Sequence, residues 1–467
     1  MTGVMRAVGG AAVVTIVTLS GAIVSAGRAG ARGALPASLT YSNPAGMLGT
    51  LTAGGSFDQA NPFFAELGTN GRTCGTCHRP AEAWSITPSE IAGRFERTAG
   101  LDPIFRANDG SNCAGADLST LETRRRSFSA LLGKGLIRIA LDVPVDAEFE
   151  VVAVDDPYRC DARLKSVSMY RRPLPTANLS FLSAVMWDGR ASRPGRAIRD
   201  DLVAQAIDAT EGHAQGTSPS TAQLSAIVDF ELGLVAAQVR DRSAGSLSAG
   251  AAKAGTSLLI NQPFCIGIND PLGMHPSTPG ACLGPSRGLD PAVFALFGAW
   301  QGAASPDRQS IARGEALFNT REFVIDNVPG LNGVAGDPVT GPINKGTCTV
   351  CHDTPNVGNH SVAMALNIGI TDPSRRTSDL PLYTLRNVAT GVVVRTTDPG
   401  RAMVTGKWRD VGKFKGPILR GLAARPPYFH DGSAATPMDV LAFYDKRFHI
   451  RLTDREKADL VAFLLAL

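Results

Sequence analysis

Two short stretches of the sequence share one spacing of thiols and imidazoles, Cys-x-x-Cys-His, at residues 74–78 and again at residues 348–352. Two cysteines at this spacing can form thioethers with the two vinyl groups of haem, and the histidine that follows then lies beneath the iron as an axial ligand. The sequence therefore predicts two covalently attached c-type haems. The predicted attachment residues are Cys74, Cys77 and His78 in the first motif and Cys348, Cys351 and His352 in the second.

Zinc is the competing interpretation, because Cys-x-x-Cys pairs also build zinc ribbons. Both pairs here are followed directly by histidine, which a ribbon does not require, and most of the chain separates them. Two local disulfides are a third alternative, but they leave both histidines unexplained. The combination of two complete motifs favours haem.

The first 31 residues have the pattern of an export signal. Arg6 is the only charge before a stretch rich in Gly, Ala and Val that runs to about Ser25. Val-Ser-Ala at 24–26 and Ala-Gly-Ala at 29–31 both fit a small-residue cleavage site. An uncleaved membrane anchor is the alternative, although the stretch is rich in Gly, Ser and Thr. We therefore expect a periplasmic protein whose signal segment alone meets the membrane.

Cysteine usage agrees with an oxidising compartment. Four of the eight cysteines lie outside the two motifs, and an even remainder favours disulfides in an exported protein. Proximity favours the pairs Cys113–Cys160 and Cys265–Cys282, although four cysteines allow three connectivities.

Helical patterns are the clearest in the chain. Thr453 and Glu456 form a capping box before a C-terminal helix, and a further helix is expected over residues 224–235. Short strands are expected only near 136–140 and 149–154. We therefore predict a mainly α fold in which two cytochrome c-like haem domains pack together, with many loops and few short strands.

The length of 467 residues suits two or three domains. The predicted segments are a signal peptide at 1–31, an N-terminal haem domain at 32–240, an inserted loop region with a disulfide at 241–304 and a C-terminal haem domain at 305–467.

Several further stretches occur in a characteristic order. They are Arg-Pro-Leu-Pro-Thr at 172–176, Trp-Asp-Gly-Arg-Ala at 187–191, Leu-Val-Ala-Gln-Ala at 202–206, Gly-Glu-Ala-Leu-Phe at 314–318, Pro-Ile-Leu-Arg at 417–420 and Pro-Tyr-Phe-His-Asp-Gly at 427–432. Together with the two motifs, they resemble the bacterial di-haem cytochrome c peroxidase family, which includes MauG. The resemblance covers most of the chain outside the signal and residues 241–304.

The resemblance implies a division of labour between the two haems. The N-terminal haem looks like the one that reacts with peroxide, and the C-terminal haem looks like the one that receives electrons. Trp187 matches the tryptophan that lies between the haems, and Gln205 matches a glutamine of the distal pocket. The plainer alternatives are a core tryptophan and a solvated helix residue.

The chain departs from the family pattern beside the first haem. The well-known peroxidases place a histidine soon after the first motif that caps the iron, whereas no histidine occurs here between His78 and His213. The first haem is therefore expected to be open or closed only by a weak ligand, which is closer to MauG. His213 or Glu211 stands where the family has its distal glutamate acid/base. A solvated loop histidine and a direct iron ligand are the alternatives for His213.

For the second haem the peroxidases use a methionine as the sixth ligand. The matching position is Tyr444, as in MauG, and a tyrosinate stabilises ferric iron. Simple packing is the alternative for Tyr444, and Met438, Met403 and His360 are the other candidate ligands. His430 is expected to orient a haem propionate or the nearby loop.

The family also binds calcium between its domains. An asparagine that contributes to that site is replaced here by Pro173, so calcium stays an open question, although backbone oxygens can also serve as ligands.

The sequence thus favours a di-haem oxidoreductase that reduces hydrogen peroxide with electrons from a small periplasmic donor, a cytochrome c or a cupredoxin. The alternatives are MauG-like oxidation of a protein or organic substrate and a non-catalytic electron carrier. A net charge of only +4, without a long Lys/Arg run, argues against nucleic-acid binding. The sequence does not indicate an oligomeric state.

Overall fold

A computed structural model describes residues 35–160, 164–273, 278–284, 288–332 and 343–467. The predicted signal peptide at 1–31 lies outside these ranges. Within them, no helix has both the length and the apolar character needed to cross a bilayer.

The prediction of a mainly α fold is wrong, because the described residues contain thirteen strands in five sheets beside ten helices. The helices are α1 Pro88–Thr98, α2 Leu121–Ser127, α3 Ser129–Lys134, α4 Ile198–Gly212, α5 Thr221–Leu232, α6 Thr256–Leu259, α7 Pro306–Thr320, α8 Ala402–Thr405, α9 Pro437–Phe448 and α10 Asp454–Leu465. The strands are β1 Leu35–Asn43, β2 Gly46–Phe57, β3 Ile137–Asp142, β4 Phe149–Asp155, β5 Ser166–Arg171, β6 Leu234–Asp241, β7 Gly245–Ser246, β8 Phe323–Val324, β9 Lys345–Gly346, β10 Ala365–Leu366, β11 Leu382–Asn387, β12 Val393–Thr396 and β13 Phe414–Lys415.

The largest sheet has the order β1-β2-β6-β7, and its three strand pairs are antiparallel. Its β6 strand overlaps the helix expected over 224–235, because α5 ends at Leu232 and the chain turns at Gly233 into an extended strand. The apolar run Leu-Val-Ala-Ala continues the helical stripe in sequence, so periodicity alone does not reveal the change.

A second sheet, of order β12-β11-β4, joins the two halves of the chain. Tyr383 of β11 pairs with Val154 of β4, more than two hundred residues earlier. The C-terminus also crosses between the halves, because the Leu467 carbonyl accepts hydrogen bonds from the Gln238 and Gly421 amides. Strands that pair over such distances carry little local signal in the sequence.

Helices α7 and α10 pack closely at the second motif. A Cβ at Gly314 of α7 would lie 2.0 Å from the Asp459 carbonyl of α10, so this position requires glycine. Glu315 accepts hydrogen bonds from the Leu296 and Phe297 amides. The helix pair adjoins the largest apolar core, which also contains Val350 of the second motif.

Both disulfides expected from proximity are confirmed. Cys113 is bonded to Cys160, and Cys265 is bonded to Cys282. The second bridge closes a loop within the predicted insertion at 241–304.

A fully buried cation lies at the centre of the fold. Arg171, at the end of β5, donates to Asp188 over 2.5 Å and to Asp398 over 2.7 and 2.9 Å. Burial lowers the pKa of Arg171, but the two carboxylates outweigh this effect and raise it above its usual range. Burial raises the pKa of Asp188, and Arg171 and Arg190 together lower it to about 2. All three charges therefore persist without water.

Replacement of Arg171 by methionine should strongly destabilise the protein, because Asp398 then loses its cation and Asp188 keeps only Arg190. A loss of roughly 3–5 kcal/mol is expected from urea unfolding followed by circular dichroism. Arg386→Met, which breaks an exposed ion pair with Glu150, is the matched control and should have little effect. Equal unfolding midpoints for the two variants would contradict this role.

Candidate haem centres

The first motif forms one short turn. Cys74–Thr76 is a 3-10 helix, and the His78 amide donates to the Cys74 carbonyl over 3.0 Å. His78 Nδ1 lies 2.9 Å from the Trp84 carbonyl, which can only accept, so Nδ1 carries the proton and Nε2 keeps a free lone pair that could bind a metal. Burial lowers the pKa of His78 to about 4, which keeps the ring neutral.

The second motif repeats this geometry. Cys348–Val350 is a 3-10 helix, and the His352 amide donates to the Cys348 carbonyl over 3.2 Å. His352 Nδ1 lies 2.6 Å from the Gly358 carbonyl, and burial lowers the pKa of His352 to about 4. Both histidines thus have the neutral, oriented form that a metal requires.

The four cysteines of the motifs are half-buried free thiols. Burial is the largest cause that raises their pKa values, to about 12 for Cys74, Cys348 and Cys351. The alternative of two local disulfides is therefore not seen.

Each motif borders its own cavity. The first cavity, beside residues 74–78, encloses about 1480 Å³ of empty space, and the second, beside residues 348–352, encloses about 1750 Å³, open mouths included. Apolar side chains dominate both linings, as a flat macrocycle requires.

One wall separates the two cavities. The residues that line both of them are Arg172, Pro173, Leu174, Trp187 and Lys415. The Trp187 indole donates to the Arg172 carbonyl over 2.8 Å, and the Lys415 amide donates to the Trp187 carbonyl over 2.9 Å. Trp187 therefore lies between the two cavities.

The wall carries more positive than negative charge. Arg172, Lys415 and the neighbouring Arg425 form no ion pair with any carboxylate of the described residues, and Arg425 Nε has no hydrogen-bond partner among them. Burial lowers the pKa of Arg172 to about 9 and that of Lys415 to about 8, and repulsion from Arg425 contributes to both. Buried cations without counter-ions are costly, so this wall suits the carboxylates of two haems.

Of the predicted distal residues, the structure brings Gln205 and His213 to the first cavity. Gln205 lies on α4 and His213 immediately follows that helix. Glu211 is exposed at the end of α4 and does not line the cavity. Of the two residues that the sequence left as alternatives, His213 lines the first cavity and Glu211 does not.

At the second cavity, Tyr444 of α9, His360 and His430 all line the space. Burial raises the pKa of Tyr444 above its usual range. Met438 is 40% exposed and Met403 packs in another apolar cluster, so neither borders the cavity.

His430 stacks on Phe414 with ring centroids 4.4 Å apart, and its Nε2 lies 3.7 Å from Asp398. Its Nδ1 is buried without a hydrogen-bond partner among the described residues. His430 thus connects the second cavity to the carboxylate that Arg171 holds.

The backbone at Pro173, the position that the resemblance relates to calcium, is hydrogen-bonded within the chain. The Pro173 carbonyl accepts a hydrogen bond from the Ser85 hydroxyl over 2.7 Å. Across the ranges that the structure describes, no three His, Cys, Asp or Glu side chains converge as a metal ion requires.

Several charged residues of the first cavity were not identified from the sequence as site residues, among them Arg72, Asp109 and Glu231. Neither Arg72 nor Asp109 belongs to a sequence motif that would identify it as a site residue. Glu231 has a local signal, because it is the one carboxylate on the apolar stripe formed by Leu224, Ile227 and Val228.

Comparison with known proteins gives partial matches. The chain is 30% identical over 142 residues to the cytochrome-c peroxidase IdrP1 of Denitromonas iodatirespirans, a match that covers 26% of this chain and 37% of that protein. It is 31% identical over 121 residues to the cytochrome c551 peroxidase of Nitrosomonas europaea, covering 26% of this chain and 30% of the relative. The chain thus spans about a third of the length of these relatives.

A structure described as a MauG-like protein associated with microbial copper homeostasis matches 87% of this chain and 86% of its own, at 14% identity and a TM-score of 0.36. No family model matches the chain.

Glu231 should make stability depend on pH. It is 3% exposed, its Oε2 has no hydrogen-bond partner among the described residues, and burial raises its pKa from 4.5 to about 8. Since the folded pKa is the higher one, its contribution is fully present below 4.5 and is lost as the pH rises through about 8. Glu231→Gln should therefore have a higher melting temperature than the wild type above pH 8 and a similar one at low pH.

The matched control is Glu122→Gln, at an exposed position. A Glu231→Gln variant whose melting temperature equals that of the wild type at every pH would contradict this prediction. It would mean that the Glu231 carboxylate has a partner when the cofactors are bound.

Proposed function

Because the chain belongs to the family of the di-haem cytochrome c peroxidases and MauG, we propose that it is a c-type haem oxidoreductase that reduces hydrogen peroxide. Peroxide would enter the first cavity, and electrons would arrive by way of the second. The observation that carries this proposal is a pair of equivalent Cys-x-x-Cys-His turns whose cavities share one wall containing Trp187.

The residues that would hold the cofactors are those of the two motifs. Cys74, Cys77 and His78 would hold one haem, and Cys348, Cys351 and His352 would hold the other. The haem irons would supply the peroxide binding and the one-electron redox chemistry. Arg172 and Lys415 would orient the propionates from the shared wall, with His430 on the side of the second cavity.

Reduction of peroxide to two water molecules consumes two electrons and two protons, and the chain must move the protons. His213 is the side chain of the first cavity best suited to this task, because an imidazole accepts and returns a proton near neutral pH. Its Nε2 would take the proton that peroxide loses and deliver it to the departing oxygen. The Gln205 amide would orient the peroxide by hydrogen bonding.

Electrons would cross the wall through Trp187, whose indole borders both cavities. The expected donor is a small periplasmic cytochrome c or cupredoxin. It would act from the side of the second cavity, where Tyr444 and His360 line the space and would be the candidates for a sixth ligand.

MauG-like oxidation of a protein or organic substrate is the second candidate function. Two observations favour it, the presence of Tyr444 at the second cavity and the absence of any histidine between His78 and His213 in the sequence. A pure electron carrier is the third alternative.

Electron paramagnetic resonance of the oxidised protein separates an enzyme from a carrier, since an open iron gives a high-spin signal. Turnover with peroxide and a small reduced cytochrome, before and after partial reduction, then separates peroxide reduction from substrate oxidation. Two low-spin signals and no peroxide-dependent absorbance change would refute the proposed enzyme.

Loss of His213 should slow the reaction with peroxide. His213→Ala is expected to lower the second-order rate of the peroxide-induced absorbance change by about 10²- to 10⁴-fold, the usual contribution of a general acid/base. Glu211→Gln, two residues away but outside the cavity, is the control and should react like the wild type. A comparable loss in both variants would remove His213 from its role.

Tyr444 should influence the second haem if it is the sixth ligand. A tyrosinate lowers the reduction potential, so Tyr444→Phe should raise the midpoint potential of the second haem and change its absorption spectrum. Met438→Leu on the exposed side of the same helix should change neither. An unaltered spectrum in Tyr444→Phe would leave His360 as the candidate ligand.

A further inference from the structure

We propose that Asp109, held in place by Arg72, is a positioning residue that fixes the tautomer and orientation of His213. The inference deepens the proposed function, on which it rests, because it explains how a residue just beyond a helix end is made ready for proton transfer. The sequence does not mark Asp109, which lies 104 positions before His213.

The contact between the two side chains is direct. His213 Nδ1 is hydrogen-bonded to Asp109 Oδ2, and the other carboxylate oxygen of Asp109 pairs with Arg72 Nη1. Asp109 is 6% exposed and Arg72 is 3% exposed. The carboxylate is therefore shared between a ring and a guanidinium, with little access to water.

Arg72 is itself immobilised by backbone acceptors. Its Nε donates to the Pro103 carbonyl over 2.8 Å and its Nη2 donates to the Ile104 carbonyl over 2.7 Å. Burial raises the pKa of Asp109, and the hydrogen bond from His213 and the charge of Arg72 together bring it below its usual value. Asp109 thus stays an ionised acceptor.

The backbone of His213 is held as firmly as its ring. Its carbonyl accepts hydrogen bonds from Asn70 over 2.8 Å, from Arg72 over 3.1 Å and from Asn108 over 3.3 Å. A solvated loop histidine, the plainer interpretation, has no need of such restraints. The side chain nevertheless remains 44% exposed, which gives it a route for proton exchange with water.

These contacts determine which ring nitrogen of His213 is free to accept a proton. An ionised carboxylate can only accept, so the Asp109 contact keeps the proton on His213 Nδ1 and leaves Nε2 as the free acceptor. His213 lines the first cavity, so Nε2 is the nitrogen available to a peroxide proton. When Nε2 takes that proton, the negative charge of Asp109 stabilises the resulting imidazolium. The proton then passes from His213 Nε2 to the departing oxygen, and Asp109 stays ionised throughout.

The test does not require turnover. Carbon monoxide bound to the reduced first haem reports, through its infrared stretching frequency, the charge and hydrogen bonding of the surrounding side chains. Protonation of His213 should shift this frequency with a defined pH midpoint in the wild type and should leave no such transition in His213→Ala. The titratable groups in contact with His213 or next to it are Asp109 and Arg72. Elsewhere the same cavity is lined by the charged or titratable side chains of His78, Arg171, Arg172, Arg190, Glu231 and Lys415, and any transition that they cause would persist in His213→Ala.

Asp109→Asn removes the charge but preserves the shape of the side chain. The pH midpoint should fall by about one unit or more, since a neighbouring carboxylate usually favours a protonated imidazole by that much. Asp102→Asn is the matched control, because Asp102 also pairs with a partly buried arginine, Arg94, in the same segment but does not line the cavity. Equal midpoints in the two variants would overturn the proposal.

A second comparison guards against a purely structural effect. Asp109→Asn should slow the peroxide reaction at least about 10-fold in the wild-type background and have no further effect in His213→Ala, because coupled residues are not additive. Equal losses in both backgrounds would show that Asp109 acts on folding alone. Asp109→Glu keeps the charge and should keep the infrared midpoint near that of the wild type, and a fall as large as that in Asp109→Asn would contradict an electrostatic role.

Failure of the proposed function is distinguishable from failure of this inference. An infrared midpoint that depends on Asp109 in a protein that does not react with peroxide would refute the peroxidase but support the positioning of His213. A protein that reacts with peroxide but whose infrared pH midpoint is unchanged in Asp109→Asn would support the peroxidase and refute the positioning of His213 by Asp109.

Discussion

The two halves of the chain meet around the buried ion pairs of Arg171. This guanidinium is bonded to Asp188, 17 residues later, and to Asp398, 227 residues later. A charge without water is stable only when its partners are fixed, so the carboxylates and the backbone that carries them have one permitted arrangement. Asp188 follows Trp187 directly, and Asp398 lies next to His430. The network therefore determines where the wall between the two cavities lies.

The wall between the two cavities differs from this network, because its buried cations have no carboxylate partners among the described residues. Arg172 directly follows Arg171 and has no carboxylate partner among the described residues, and Lys415 shares this condition. A protein without its cofactors would thus keep buried positive charge that no carboxylate pairs with directly, and the carboxylates of bound haem would offset it. Cofactor binding should for this reason stabilise the fold as well as equip it for chemistry, in the way that any ligand bound only by the native state does.

The parts of the site that the sequence predicts are those in which the chemistry is local. Each Cys-x-x-Cys-His motif specifies its own turn, and the two disulfides join the nearest remaining cysteines. The sheets are different, because β4 pairs with β11 across more than two hundred residues and no short-range pattern records the pairing. Asp109 belongs to the same class, since an isolated aspartate in a loop acquires meaning only when the fold brings it to His213.

The proposed difference between the two haem centres would have the same origin. The two motifs have nearly identical turns, and in both a backbone carbonyl orients the histidine through Nδ1. The five residues of each motif therefore cannot distinguish the proposed reactive centre from the proposed relay. The distinction comes from the side chains that distant segments bring to each cavity: a histidine fixed by a carboxylate at the first, and a tyrosine and a buried histidine at the second. A change of function between two such centres thus needs only different distal residues, while the attachment turn stays the same.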